Sequence, residues 1–250
     1  MEEATRNPGR LVILAGPSCA GKSPLAAALA RLHPERAAGL KPLVLYNDRA
    51  ARPGECDGVD YHFRSTGEIA SLEGKPGFAV MEVRGDLQAV DIESLVADLE
   101  QGDVLFEGNP FVGRFLLKHP GLEDIPRLSV FVSPLSSEEL VELKNAGVDL
   151  RTLVTDVMRR KLLRRTRRQK GELSQPDLKN IEKRARSAFG ELAFAHEFEH
   201  VIVNHDGEDS EHWDAFYYPL GDARRALRSF VGVLEGTAAD TEQWDRTLLA

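Results

Sequence analysis

The amino-acid sequence predicts an α/β fold, in which helices cover both faces of a mainly parallel, five-stranded sheet. Short apolar runs rich in β-branched residues alternate with longer segments whose apolar residues have helical spacing, as in strand–helix–strand units. A glycine-rich loop joins the first apolar run to the first helical segment. Polar residues follow directly after several apolar runs, and the carboxyl ends of parallel strands meet at one edge of a sheet. We therefore expect one functional site at that edge.

The composition is that of a globular domain with an acidic balance. The 250 residues are 42% hydrophobic and 29% charged with a net charge of -8, so the chain as a whole does not attract nucleic acid or an anionic membrane. No apolar run approaches the ~18 residues of a membrane-spanning helix, and the acidic N-terminus has no secretory pattern. Two cysteines make no disulfide framework, which predicts a cytoplasmic location. We expect one domain over residues 9–236 and a tail over residues 237–250.

The glycine-rich loop matches the pattern G-x-x-x-x-G-K-[ST] between a strand-like run at residues 11–15 and a helix-forming run at residues 25–32. In this context the loop N–H groups and the helix N-terminus bind phosphate oxygens. Lys22 would reach the β- and γ-phosphates of a nucleotide, and the Ser23 hydroxyl would bind Mg²⁺. The alternative is a chance glycine-rich turn, which the two flanks disfavour. The predicted phosphate-binding residues are Gly16, Pro17, Ser18, Cys19, Ala20, Gly21, Lys22 and Ser23.

Further strands and helices alternate after this unit. A polar segment at residues 47–60 has almost no apolar periodicity and cannot be core. A short apolar run at residues 80–83 predicts a strand beyond it. The other strands of the main sheet are predicted at residues 42–46, 103–106, 128–132 and 201–203, and helices at residues 92–99, 152–168, 178–196 and 222–234.

The C-terminal part carries three smaller predictions. Asp222 caps the last helix, whose apolar residues share one face. The aromatic residues at 216–218 pack in the core against that helix. The tail is frayed, except that Trp244 docks on the domain.

Residues 49–63 resemble the acceptor-binding stretch of guanylate kinases, R-x-P-R-x-G-E-x-D-G-x-D-Y-x-F. The glycine-rich loop is similar to the G-P-S-G-x-G-K loop of the same family. The resemblance extends through Lys183 and Arg184 to the strand at residues 201–203 and covers most of residues 10–205. It implies a P-loop kinase fold with an acceptor-binding insertion over residues 47–93.

The two arginines of this stretch suit a phosphate clamp. Arg49 and Arg52 are three residues apart, and two guanidinium groups can hold one phosphate dianion through several hydrogen bonds. The alternative is a solvated loop in which these arginines pair with neighbouring carboxylates. By resemblance, Glu55 steadies the loop or contacts the acceptor base, and Tyr61 donates to the acceptor phosphate.

Other positions depart from the family pattern. The Ser/Thr-Thr before the first arginine is Asn47-Asp48, and the family's tyrosine-glycine-threonine segment has no counterpart. The resemblance implies that Glu82 reads the acceptor base and that Glu107 holds Mg²⁺ through its waters. Asn109 stands where the family has an aspartate that contacts guanine. The phosphate-handling residues are kept, whereas the base-reading ones have changed.

The segment 159–170 contains eight basic residues and no acidic residue. It could be a solvated helical face or a nucleic-acid patch, although it lacks interleaved aromatic residues. We favour a mobile lid over residues 155–186, because a bound polyphosphate would relieve the repulsion of these charges. Arg164 and Arg168 would then act in catalysis with Lys22, and the resemblance adds Arg184.

Asn204 follows the last strand, which predicts a place in the donor-base pocket. Residues 205–212 contain potential metal ligands, but their spacing fits no metal-binding pattern, so we interpret them as a polar surface loop.

These features predict an ATP- and Mg²⁺-dependent kinase that phosphorylates a small, GMP-like nucleoside monophosphate, with no nucleic-acid or membrane partner. No general base is needed, because the acceptor phosphate is already an anion. One alternative is a kinase of the same fold that acts on a non-nucleotide phosphate. Another is a non-catalytic binding module, against which the presence of Lys22 and Ser23 argues. The oligomeric state stays open, with a homodimer as one option.

Overall fold

The computed structural model describes residues 9–52, 54–237 and 239–249, so Pro53 of the acceptor-binding stretch and the ends of the chain lie outside the described residues. The described residues form nine strands and nine α-helices. The strands are β1 (Leu11–Ala15), β2 (Leu40–Pro42), β3 (Tyr46–Asn47), β4 (His62–Phe63), β5 (Phe78–Val83), β6 (Asp86–Asp91), β7 (Asp103–Gly108), β8 (Arg127–Ser133) and β9 (His200–Val203). The helices are α1 (Lys22–Leu32), α2 (Pro34–Ala38), α3 (Thr66–Ala70), α4 (Ile92–Leu99), α5 (Pro110–Lys118), α6 (Ser137–Asn145), α7 (Leu150–Lys170), α8 (Gln175–Leu192) and α9 (Gly221–Glu235).

The strands form two sheets. The main sheet has five strands in the order β2-β7-β1-β8-β9, and every neighbouring pair is parallel, which confirms the predicted fold class. The small sheet has the order β4-β3-β6-β5 and contains the antiparallel hairpin β5–β6. The prediction of a single strand at residues 42–46 is wrong, because this region contains parts of two strands. β2 belongs to the main sheet and β3 to the small one.

The core lies on both faces of the main sheet because its central strand is apolar throughout. All five residues of β1 are fully buried. Leu11 and Ile13 belong to one apolar cluster, which includes residues of α5, α7 and α8, and Val12 and Leu14 belong to the other, which includes residues of α1 and α9. Alternate side chains of a strand point to opposite faces, so helices cover both faces as predicted.

Helices α7 and α8 form a hairpin beside the sheet. The Asp149 carboxylate accepts from the backbone N–H groups that begin α7, and Ser174 begins α8 with a capping box. Residues 171–174 join the two helices, which pack against each other along their length. The predicted basic segment is therefore one arm of a helical hairpin.

The C-terminal part differs from the predictions. Asp222 lies inside the first turn of α9 and makes no cap; it accepts from Arg225 instead. Phe216, Tyr217 and Tyr218 are 63%, 64% and 51% exposed and are not core. The tail is not frayed where it is described: Glu242 exchanges two 2.8 Å backbone hydrogen bonds with Val201, and Trp244 is buried as expected. Among the described residues, no helix has the length and apolar character needed to cross a bilayer.

Candidate phosphoryl-transfer site

The phosphate loop, residues 16–23, turns between β1 and α1. Gly21 has φ +98°, and a Cβ there would lie 2.3 Å from the Asn204 side chain, so only glycine fits. Cys19 also has a left-handed backbone, with φ +69°. Its side chain is fully buried, and burial raises the pKa of the thiol to about 12. Cys19 is therefore a protonated packing residue and not a nucleophile.

The buried side chain of Asn204 supports this loop through hydrogen bonds to backbone carbonyl groups. Its side-chain amide donates to the carbonyl oxygens of Ala20 at 2.8 Å and of Asp206 at 2.7 Å, and the residue is fully buried. Its amide N–H groups are thus used within the chain. The structure places Asn204 under the loop, where it shapes the turn, and not on the surface of the cleft.

Lys22 and Ser23 begin α1 on the floor of a cleft of about 250 Å³. Lys22 is 6% exposed, and its Nζ donates to the Pro17 carbonyl at 2.8 Å. Burial lowers the pKa of Lys22, and the nearby carboxylates of Glu208 and Glu107 oppose that shift. The ammonium group is thus held within the phosphate loop.

Ser23 and Glu107 form an oxygen pair beside Lys22. The Ser23 hydroxyl donates to Glu107 Oε1 at 2.8 Å. Burial raises the pKa of Glu107, while Lys22 and the Ser23 hydrogen bond act in the opposite direction. A hydroxyl and a carboxylate are hard oxygen donors, and Mg²⁺ uses few protein ligands beside phosphates and waters. The residues present therefore fit a Mg²⁺ ion.

The acceptor loop, residues 49–61, brings the predicted clamp to the same cleft. Arg49 donates to both oxygens of Glu55, at 2.6 and 2.7 Å, and its guanidinium lies 5.0 Å from the Tyr61 ring centroid. Glu55 also accepts from the Arg52 backbone N–H at 2.7 Å. The pairing that we considered as the alternative is thus present for Arg49. Among the described residues, the Arg52 guanidinium makes only a 3.8 Å ion pair with Glu55, so it is the one available to a ligand.

The helical hairpin supplies two further arginines, and only one of them was predicted for this role. Arg184 of α8 lines the cleft, and its only hydrogen bond among the described residues is a long one, 3.5 Å, to Ser18 Oγ. Burial, followed by the charges of neighbouring arginines, lowers the pKa of Arg184 to about 9. Arg165 of α7 also lines the cleft, where its Nη1 donates to Glu208 at 2.7 Å and its buried Nε has no hydrogen-bond partner in the part of the chain that the structure describes.

Arg164 and Arg168 do not line the cleft. Their side chains are 66% and 45% exposed, and they pair with Asp209 at 3.0 Å and Asp214 at 2.9 Å. Together with Glu208 these carboxylates belong to the acidic loop, residues 206–214. The polar loop that follows β9 is thus the ionic partner of the basic helix, which sequence spacing alone did not indicate.

Three side-chain amides line the part of the cleft beside the small sheet. Asn47 and Gln88 face each other across β3 and β6 and are 1% and 5% exposed. Asn109 donates to Gln88 Oε1 at 3.4 Å, while its own oxygen caps α5. The Gln88 amide nitrogen has no hydrogen-bond partner within the described ranges. Glu82, in contrast, is exposed and lies outside the cleft, because its neighbour Val83 takes the inward position on β5.

Comparison with known proteins identifies guanylate kinases among the relatives of this chain. The guanylate kinase family model matches residues 8–77. The chain is 31% identical over 229 residues to the guanylate kinase of Synechococcus sp. (strain JA-3-3Ab), covering 87% of this chain and 88% of that protein. It is 32% identical over 207 residues to the guanylate kinase of Corynebacterium diphtheriae, covering 80% of this chain and 89% of the relative. The crystal structure of guanylate kinase from Anaplasma phagocytophilum superposes with a TM-score of 0.54 at 19% identity, over 98% of this chain and 90% of that one, and so supports the fold.

Proposed function

Because this chain belongs to the guanylate kinase family, we propose that it transfers the γ-phosphoryl group of ATP to GMP with the help of Mg²⁺. The chain is a nucleoside monophosphate kinase. The observation that carries the assignment of this chemistry to the cleft is that Lys22, Arg184 and Arg52 all line it. Within the described residues, none of these three cations makes a carboxylate ion pair shorter than the 3.8 Å contact between Arg52 and Glu55, and such a cluster suits two phosphorylated substrates that meet end to end.

The donor triphosphate would lie on the phosphate loop, with its β- and γ-phosphates at Lys22. Ser23 and Glu107, whose side chains are 2.8 Å apart, would hold Mg²⁺ directly or through water. When bound, Mg²⁺ neutralises charge on the β- and γ-phosphate oxygens. Glu107 is half-buried, and burial raises the pKa of its carboxyl, so a bound cation would favour the charged form that burial disfavours.

The acceptor phosphate would bind at Arg52, with Tyr61 on the same loop. Arg49 and Glu55 then have a supporting role: the bidentate pair fixes the loop, and Glu55 also holds the Arg52 backbone N–H at 2.7 Å. The guanine base would extend towards the small sheet, where Asn109 and Gln88 offer neutral donors and acceptors to its edge. We assign no contact to Glu82.

Catalysis in such a site consists of positioning and charge neutralisation. Arg184 and Arg165 are the cations of the helical hairpin that line the cleft, so we propose them, in place of Arg164 and Arg168, for the transferring phosphoryl group. The two free cysteines support our further proposal that the protein works in the cytoplasm. We propose neither a nucleic-acid nor a membrane partner.

The test of this function is a coupled assay of ADP formation with Mg²⁺-ATP and a series of acceptors. The series contains GMP, dGMP, IMP, AMP and sugar phosphates, with EDTA as the metal-free control. We expect ADP formation that depends on GMP and stops with EDTA. Turnover with a sugar phosphate and none with a nucleotide would contradict the proposal that GMP is the acceptor.

We expect Arg52→Lys to raise the KM for GMP by roughly 10–100-fold, because lysine keeps the charge but loses the planar fork that binds phosphate. The KM for ATP should change much less. Steady-state kinetics with each substrate varied in turn measures both constants. Arg64→Lys is the matched control, since Arg64 belongs to the same small sheet region and pairs with the exposed Asp57 at 2.9 Å. Equal changes in both KM values for Arg52→Lys would show that the acceptor site lies elsewhere.

A further inference from the structure

Arg84 occupies the turn of the β5–β6 hairpin in an unfavourable backbone conformation. Its φ is +54°, and that of the next residue, Gly85, is +76°, as in a two-residue hairpin turn of type I′. Asparagine or glycine is usual at the first of these positions, because an L residue with a larger side chain is strained there. The arginine therefore imposes a cost on the turn, and such strained residues cluster at functional sites.

The guanidinium of Arg84 is held by a buried carboxylate. Its Nε donates to Glu191 Oε1 at 2.6 Å, and its Nη2 makes a 2.6 Å ion-pair contact with Glu191 Oε2 that lacks hydrogen-bond geometry. Glu191, on α8, is fully buried, and the Arg84 side chain is only 12% exposed. A buried ion pair costs desolvation energy and is weak evidence for stability, but it fixes the orientation of both groups.

One edge of this guanidinium remains available. Glu191 occupies the Nε and Nη2 side, and Nη1 has no hydrogen-bond partner in the described part of the chain. Arg84 lines the same cleft as Lys22 and Arg184. Its charge lowers the pKa of each of these two groups, after the larger effect of their burial, so it lies within electrostatic reach of both. The free edge is thus near the cations assigned to the transferring phosphoryl group.

We propose that Arg84 binds the transferring phosphoryl group through Nη1, and that Glu191 is the positioning residue that aims it. This inference rests on the proposed function. The guanidinium groups of Arg84, Arg165 and Arg184 and the Lys22 ammonium would then surround the oxygens of that group, where charge accumulates during transfer. Arg49 and Arg52 lie in the loop before β4, whereas Arg84 lies in the β5–β6 turn. The small sheet would therefore supply a cation of its own to the transferring phosphoryl group.

The experiment uses Arg84→Asn, because asparagine tolerates the left-handed backbone and removes the guanidinium without new strain. We expect kcat to fall by about 10²-fold and the KM for ATP to rise by up to about tenfold, while the KM for GMP stays within about threefold, because a group engaged mainly in the transition state still contacts the donor phosphates more weakly in the ground state. Added guanidinium ion should restore part of kcat. The control is Arg186→Ala on α8, whose side chain is 75% exposed and pairs with Glu182.

Arg84→Asn leaves Glu191 buried without its partner, so the double variant Arg84→Asn/Glu191→Gln removes both charges and protects the fold. It should show the same loss of kcat with a normal melting temperature. Isothermal titration with inorganic tripolyphosphate, which needs no turnover, should show weaker binding for both variants than for the wild-type chain.

A wild-type chain without GMP-dependent ADP formation would contradict the proposed function, and the tripolyphosphate titration would still test Arg84. An active wild type with kcat of Arg84→Asn within about threefold of normal would overturn the role of Arg84 alone. A change confined to KM, or unchanged tripolyphosphate binding, would overturn it as well.

Discussion

Replacing Lys22 with alanine should lower kcat by about 10²–10³-fold and leave the protein folded. The Nζ atom is the only charge that α1 directs into the phosphate loop, where it now donates to the Pro17 carbonyl at 2.8 Å. A bound triphosphate offers a stronger, charge-assisted acceptor, so the same ammonium group can turn to the β- and γ-phosphates. The fold should tolerate the change, because burial already disfavours this charge.

The assay for Lys22→Ala is steady-state ADP formation with saturating ATP and GMP, together with circular dichroism and a melting curve. Lys41→Ala is the control, since Lys41 is 60% exposed and pairs with Asp98 away from the cleft. A folded Lys22→Ala variant with near wild-type turnover would remove the phosphoryl-transfer function from the phosphate loop.

Arg184→Ala should have opposite effects on activity and on the stability of the ligand-free chain. We expect kcat to fall by about 10³-fold or more, as for other arginines that neutralise charge in phosphoryl transfer. The melting temperature without ligand should rise, because Arg184 is a largely buried cation surrounded by four other arginines and makes no ion pair with a carboxylate among the described residues. Binding of tripolyphosphate should then stabilise the wild-type chain more than the variant.

Arg186→Ala serves as the control here too, two residues further along α8 and exposed. It should change neither turnover nor the response to tripolyphosphate. An Arg184→Ala variant that melts at a lower temperature and keeps its kcat would indicate a structural residue and exclude the proposed role.

The main sheet could be predicted from the sequence because its strands contain short apolar runs and its central strand, β1, is fully buried. The phosphate loop was equally visible, since strand, glycines and helix follow one another without interruption. The small sheet was harder, because β3 and β4 contain two residues each and carry no periodicity of their own. Tertiary pairing creates them: β3 pairs with β6, and β4 pairs with β3.

The misplaced site residues have one cause: the sequence does not determine which face of a strand or helix is turned towards the cleft. Glu82 and Val83 are neighbours on β5, and a shift of one residue exchanges the inward and outward faces. On α7, Arg165 lies about 100° around the helix from Arg164, so the packing of α7 on α8 decides which arginine enters the cleft. Arg84 gave one usable signal, the dipeptide Arg84-Gly85 between two strand-like runs, which is a hairpin-turn position with an unusual first residue.

The contrast between the two cysteines gives this chain a ready attachment point for a spectroscopic label. Cys19 is buried within the phosphate loop, and its thiol has a pKa of about 12. Cys56 is exposed on the acceptor loop, four residues after Arg52. A maleimide dye at neutral pH should therefore modify one thiol of the native chain and both thiols in denaturant, as counted by mass spectrometry. Its fluorescence would then report GMP binding at the acceptor loop without any change to the sequence. Two labels on the native chain would show that the phosphate loop opens far enough to expose its thiol.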